Sequence, residues 1–209
     1  MSGDLLARLT RNPLIAILRG ESADSLEATI DTLITAGIEI LEVTLTTPGA
    51  AAAITGARLR HPRAFIGAGT VLTAAGVQAA DDAGAQFLVS PDTNVEVLAA
   101  ATRAALPALP GAFSATEILL AWRNGAMAVK VFPARSLGPG YITDVHAPLP
   151  EIPLIAVGGV GLTDVRAYLD AGVIAVGIGS PLLGDALAGG SQTELKLRAR
   201  AFLAAAKAA

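Results

Sequence analysis

SATEILLAWRNGAMAVKVFP, residues 114–133, holds one full turn of the chain's architecture. Ser114 precedes an amphipathic run, the position at which a hydroxyl starts a helix. The run stops at Arg123-Asn124-Gly125, where glycine can adopt the left-handed turn that ends a helix. Ala128–Pro133 then reads as a strand, apolar except for Lys130.

Outward from this unit the pattern recurs. Short runs rich in β-branched residues occupy Leu14–Arg19, Ile40–Leu45, Ala64–Val71, Phe87–Pro91, Ala108–Phe113, Ala128–Pro133, Leu154–Val160 and Val173–Ser180, eight in all. Further helix starts are expected at Ser22, Thr73 and Thr163, and further glycine stops at 35–37, 82–84 and 170–172. Eight strand–helix units in 209 residues predict an α/β fold, a single (β/α)₈ TIM barrel spanning 1–209 as one domain. A short amphipathic helix is expected in MSGDLLARLTRNP at the N-terminus, and the stretch SLGPGYITDVHAPLPEIP after the sixth strand is expected to be irregular and only weakly helical. A dinucleotide-binding sheet is excluded because the first strand ends Leu18-Arg19-Gly20, without the Gly-x-Gly-x-x-Gly turn.

Composition removes other classes. Apolar residues make up 53% and charged residues 16%, so the chain can fill a core. Mean hydropathy is +0.57, yet the longest uncharged stretch, Ala64–Ala80, carries three glycines, two threonines and a glutamine, so no membrane span is expected. A net charge of −3 gives no basic footprint for nucleic acid. Without cysteine, disulfides and thiolate metal sites are impossible; the two histidines, His61 and His146, fall in expected loops and form no ligand pair. Neither a metal nor another cofactor is expected.

Barrel strands point alternate residues inward, and barrel active sites lie at the C-terminal strand ends. In the second strand Leu41, Val43 and Leu45 share the face that suits helix packing, which turns Ile40, Glu42 and Thr44 inward. In the sixth, Val129 and Val131 pack outward and Ala128, Lys130 and Phe132 face in; Arg19 closes the first. These two strands lie opposite each other. With strands about 4.7 Å apart and tilted near 36°, the gap left between extended Lys and Glu side chains is on the order of 5 Å, room for a carbonyl carbon or a water. That arrangement suits an amine nucleophile facing a general acid/base. Burial and Arg19 favour the neutral amine while an ionised Glu42 opposes it, so the sign of the lysine's shift stays open at this level. The alternative is a buried ion pair that merely fills the barrel.

The seventh strand ends Val157-Gly158-Gly159-Val160 and the eighth Gly177-Ile178-Gly179-Ser180-Pro181. Bare amides there can approach an anion, and Ser180-Pro181 looks like an N-cap and first helical turn aimed at the same spot. Barrels often bind phosphate at this place. The third strand ends Gly67-Ala68-Gly69-Thr70-Val71 and the fourth Ser90-Pro91; both are expected to shape the pocket, with Thr70 offering a hydrogen bond.

The chain resembles, end to end, the 2-keto-3-deoxy-6-phosphogluconate and 6-phosphogalactonate aldolases. The stretches that carry the resemblance are PLIAILRG at 13–20, EVTL at 42–45, GAGTV at 67–71, SP at 90–91, PG with TE within 110–117, VKVFP at 129–133, GGV at 158–160 and GIGS at 177–180. The resemblance implies a class I aldolase, with Lys130 as Schiff-base lysine and Glu42 as general acid/base. It places Arg19, Thr70 and Pro91 at the pyruvate end, and Gly158, Gly159, Gly179 and Ser180 on the phosphate of a phosphorylated 2-oxo sugar acid. It also implies a cytoplasmic homotrimer without a metal. Gluconate-type members usually carry Arg after the catalytic Glu and Thr before the glycine pair; here Thr46 and Val157 stand there, and LGPGYI at 137–142 also looks galactonate-like. The reading therefore favours 2-dehydro-3-deoxy-6-phosphogalactonate, with the gluconate epimer or 4-hydroxy-2-oxoglutarate as the alternative substrate. Two rivals are kept: a phosphate-binding isomerase or epimerase that uses Glu42 as a carbanion base without an imine, and a non-catalytic sugar-acid binder.

Overall fold

The computed structural model describes residues 2–207, so Met1, Ala208 and Ala209 of the expected 1–209 span lie outside it. In chain order its elements are α1 (Ser2–Arg11), β1 (Leu14–Leu18), α2 (Leu26–Ala36), β2 (Ile40–Thr44), α3 (Ala50–Arg60), β3 (Phe65–Gly69), α4 (Ala74–Asp82), β4 (Leu88–Val89), α5 (Val95–Arg103), β5 (Ala108–Leu109), β6 (Gly111–Ala112), α6 (Ala115–Arg123), β7 (Val129–Val131), α7 (Ala134–His146), β8 (Leu154–Val157), α8 (Val165–Asp170), β9 (Ala175–Ile178), α9 (Ser180–Leu183), a 3₁₀ turn (Ala186–Ala188) and α10 (Gln192–Lys207).

Every strand pairing is parallel, in the order β5-β4-β3-β2-β1-β9-β8-β7-β6. The open edge of that order is a single residue wide. β5 and β6 are the two halves of the expected fifth strand, parted at Pro110, which has no N–H to give a neighbour. Hydrogen bonds from Met127 N to Ala108 O and from Lys130 N to Pro110 O, both 2.9 Å, close the ring across it. The fold is the α/β barrel the repeat predicts.

The alternation sorts the core into two layers. Leu41, Val43, Ile66, Ala68, Val129 and Val131 pack outward with Leu26, Ile30, Leu33 and other helix residues. Ile15, Ile40, Phe65, Phe87, Val89, Leu109, Ala128, Ile155 and Ala175 fill the barrel, joined by Leu5 and Leu9 of α1. Those leucines are one helical turn apart and fully buried, so α1 plugs the bottom of the barrel with one face.

Local signals succeed where the side chain bonds the expected amide. Thr73 accepts from Gly76 N, and Ser114 and Glu117 form a reciprocal capping box. Gly37, Gly84, Gly125 and Gly172 all have positive φ, as the four stops require. Two starts shift. α2 begins after Ser25, since residues 23–26 make a turn first, and α8 begins after Asp164, whose carboxylate accepts from Gly161 N at 2.9 Å. The expected irregular stretch contains α7, two helical pieces joined at Gly138 (φ 76, ψ 169) with Pro139 inside. Glycine and proline hid this helix because they break its period without ending it. His146 is accordingly the last residue of α7 and not a loop residue.

Candidate active site

At the C-terminal mouth of the barrel a cavity of about 300 Å³ is lined by Ile17, Arg19, Glu42, Lys130, Phe132, Val157, Gly158, Gly159, Val160, Gly177, Gly179, Ser180, Pro181, Leu183, Gly184 and Leu187. Eight of the ten residues singled out above lie on its wall: Arg19, Glu42, Lys130, Val157, Gly158, Gly159, Gly179 and Ser180. Thr70 and Pro91 do not. Thr70 instead accepts a 3.0 Å hydrogen bond from Arg19 Nη2, leaving its own hydroxyl proton to donate elsewhere. Its φ of 55 is unusual for a β-branched residue and stores strain next to the cavity. Pro91 stands one strand back, its carbonyl packed where a side chain on Gly111 would go.

The floor consists of Glu42 and Lys130, 2% and 6% exposed. Glu42 is in register with Ile17 and Gly67, Lys130 with Gly111 and Ile155. Among the described residues no ion pair within 4.0 Å joins the two, so a gap separates them. Burial decides both titrations. It drives the Lys130 amine below its usual value against the pull of Glu42, and Arg19 adds to the drop. It drives the Glu42 carboxyl up against the pull of Lys130 and Arg19. The question the sequence left open is thus answered: both groups shift toward their neutral forms. The amine also lies 4.7 Å from the centre of the Phe132 ring, a face that favours positive charge appearing on that nitrogen.

Room for the carboxylate comes from residues the sequence reading had treated only as pocket floor. A Cβ on Gly69 would overlap the Glu42 carboxylate, and one on Gly67 would strike Phe87 at 2.5 Å. A Cβ on Gly177 would meet Val157 and Ile17 at 2.8 and 3.0 Å, so this glycine frees the wall and not an anion cradle. Thr44 is fully buried, its hydroxyl 2.9 Å from that of Thr47 and taking a bond from Thr46, while Thr47 accepts from Gly20 N. The parity that pointed Glu42 inward signals Thr44; nothing local signals Leu183 and Leu187, which reach the wall from segments after β9.

At the other end Gly158 and Gly159 take φ of 96 and 75, conformations only glycine holds without strain. Ser180 is the first residue of α9 and Gly179 its N-cap, with no side-chain cap bond, so the expected Ser180 N-cap is displaced by one. Among the described residues no group of three or more His, Asp or Glu stands close enough to hold a metal.

Comparison with known proteins gives a consistent result. The KDPG and KHG aldolase family model matches residues 5–193. A probable 2-dehydro-3-deoxy-6-phosphogalactonate aldolase of Rhizobium meliloti is 37% identical over 92% of this chain and 91% of its own. A 2-dehydro-3-deoxy-phosphogluconate aldolase of Pseudomonas aeruginosa is 40% identical over 79% of this chain and 75% of its own. The native KDPGal structure superposes with a TM-score of 0.87 at 37% identity, covering 92% of this chain and 93% of that one. The KDPG aldolase of Legionella pneumophila, solved with pyruvate captured as a covalent carbinolamine, gives 0.85 at 28% identity, covering 98% and 97%.

Proposed function

This chain belongs to the KDPG and KHG aldolase family, and we propose that it cleaves 2-dehydro-3-deoxy-6-phosphogalactonate to pyruvate and glyceraldehyde 3-phosphate through a Schiff base at Lys130. That it is an aldolase, a carbon–carbon lyase, follows from the family. The observation that carries the rest is the buried floor, where a lysine pushed toward the neutral amine faces a carboxyl pushed toward the neutral acid.

The neutral Lys130 amine attacks the C2 ketone. Glu42 gives its proton to the resulting carbinolamine hydroxyl, which leaves as water, and an iminium remains on the lysine nitrogen beside Phe132. Glu42, now a carboxylate, takes the proton of the C4 hydroxyl. The C3–C4 bond breaks, its electrons flow into the iminium, and glyceraldehyde 3-phosphate departs. The pyruvate enamine is protonated at C3 and hydrolysed, which restores the amine. Arg19, oriented by Thr70, binds the C1 carboxylate. The amides of Gly158, Gly159, Gly179 and Ser180 take the phosphate, and Pro91 supports the pyruvate end from behind. No metal has a part in these steps, and activity in excess chelator is expected to equal that without it.

Two observations support the galactonate epimer. The wall between the two ends is the apolar Val157, 5% exposed, and Thr46 occupies the turn where gluconate-type members usually carry Arg. A C4 hydroxyl facing Val157 would lose its partner on desolvation, at a cost of about 1–3 kcal/mol. The 40% identity to the Pseudomonas enzyme keeps the gluconate epimer as a second reading. Turnover of the two epimeric substrates side by side separates them. Preference for the galacto epimer is expected; preference for the gluco epimer overturns this substrate assignment. No helix among the described residues is long and apolar enough to cross a membrane. The proposal extends to a cytoplasmic homotrimer, for which sedimentation should return three times the chain mass.

A further inference from the structure

Resting on that reading, we propose that Arg135 is a specificity-determining residue that supplies the positive charge for the substrate phosphate. Of the residues lining the cavity, Arg19 and Lys130 are the cations, and both serve the pyruvate end. The phosphate end is neutral backbone. Its helix, α9, has only four residues and so little macrodipole to offer a dianion. Arg135 does not itself line the cavity but is exposed beside its glycine end. Its aliphatic stem packs over Gly159: a Cβ there would run into Cγ and Cδ of the arginine, so the glycine pair is shaped for this side chain as well as for a bare amide. Arg135 N also donates to Gly158 O at 3.0 Å, tying the first turn of α7 to the same loop.

Two features make a purely structural role a poor account. Among the described residues the guanidinium has no hydrogen-bond or ion-pair partner. Arg135 is also the second residue of α7, whose first turn has no acidic residue. A cation there opposes the helix macrodipole, which favours acids at an N-terminus. A phosphate held by Gly158 and Gly159 relieves both: it pairs the guanidinium and puts negative charge near that helix end.

The test uses full-length enzyme with Arg135→Ala and Arg135→Lys. Aldol condensation of pyruvate with glyceraldehyde 3-phosphate is compared with condensation with glyceraldehyde, which differs only by the phosphate. Binding of inorganic phosphate is measured in parallel by phosphorus NMR titration. In Arg135→Ala the ratio of kcat/KM between the two aldehydes should fall about tenfold, the scale of a charged hydrogen bond at an exposed site, with the loss in KM. Phosphate affinity should fall in step, Arg135→Lys should recover most of both, and added salt should shrink the difference. A ratio and a phosphate affinity within twofold of wild type overturn the inference, as does an equal loss with both aldehydes. If wild type handles neither aldehyde, the aldolase reading of this site fails. The titration then still decides Arg135: weaker phosphate binding by the alanine variant upholds it, and unchanged binding overturns it.

Discussion

The floor and the mouth of the cavity solve the same problem, holding charge, in opposite ways. At the floor, Glu42 and Lys130 are buried in a barrel otherwise filled by Ile15, Ile40, Phe65 and Phe87. There the low dielectric sets the chemistry, pushing both groups toward neutrality. At the mouth, Gly159 and Ser180 are exposed on the cavity wall, and the proposed binding elements are backbone amides in glycine turns. Side-chain identity should therefore matter by orders of magnitude at the floor and by modest factors at the mouth.

The sharpest way to break this contrast is Lys130→Met. Without the amine no imine forms, and cleavage should drop to background. The thermal midpoint should stay near that of wild type, because an apolar chain of similar length replaces an amine whose charged form burial disfavours; a large loss of stability would point to a buried ion pair instead. Glu42→Gln should keep the fold and lower kcat/KM by about 10²- to 10⁴-fold. Near-normal turnover would make the carboxyl structural. Gly69→Ala probes the same place without replacing either titratable group. Its methyl displaces the Glu42 carboxylate, and a shift of about 1 Å in a reacting group costs roughly 10²-fold. Steady-state kinetics on folded protein checks both variants.

The floor was legible because charge in an apolar strand is anomalous. Strand parity put Glu42 and Lys130 on the inner face, and the eight-unit repeat put their strands opposite each other. Gly69 was visible in the sequence, but its purpose was not: it depends on where the Glu42 side chain goes after folding. The fold read well wherever a cap or stop acts on its own backbone, as at Thr73 and Ser114. It read poorly at α7, where Gly138 and Pro139 kink a helix that tertiary packing sustains through the buried Ile142 and Val145. The break in the fifth strand at Pro110 and the leucines 183 and 187 on the wall depend on three-dimensional closure, which no local pattern reports.

Toward the mouth the expected effects shrink. Val157→Thr should move the kcat/KM ratio between the two C4 epimers about tenfold toward the gluco form, within the roughly 5- to 150-fold that an unpaired buried hydroxyl allows. Thr has nearly the shape of Val and adds a donor and acceptor. An unmoved ratio would show that Val157 does not read C4.

The smallest effect concerns stability against pH. The folded pKa of Glu42 lies above 4.5, so the native state holds this proton more tightly than the unfolded chain does. That contribution is present in full below 4.5 and is lost as pH rises through the folded value. The stability of wild type relative to Glu42→Gln should therefore fall with rising pH across that window. A difference that is flat or rises with pH would mean that the carboxyl is held as an anion.

Reductive trapping tests the account at its centre. The chain has three lysines, Lys130, Lys196 and Lys207, and the last two lie on α10. Incubation with pyruvate and borohydride, followed by mass mapping, should place a single adduct on Lys130 and none in Lys130→Met. An adduct on Lys196 or Lys207, or no adduct from an enzyme that still turns over, would contradict imine catalysis at the barrel floor.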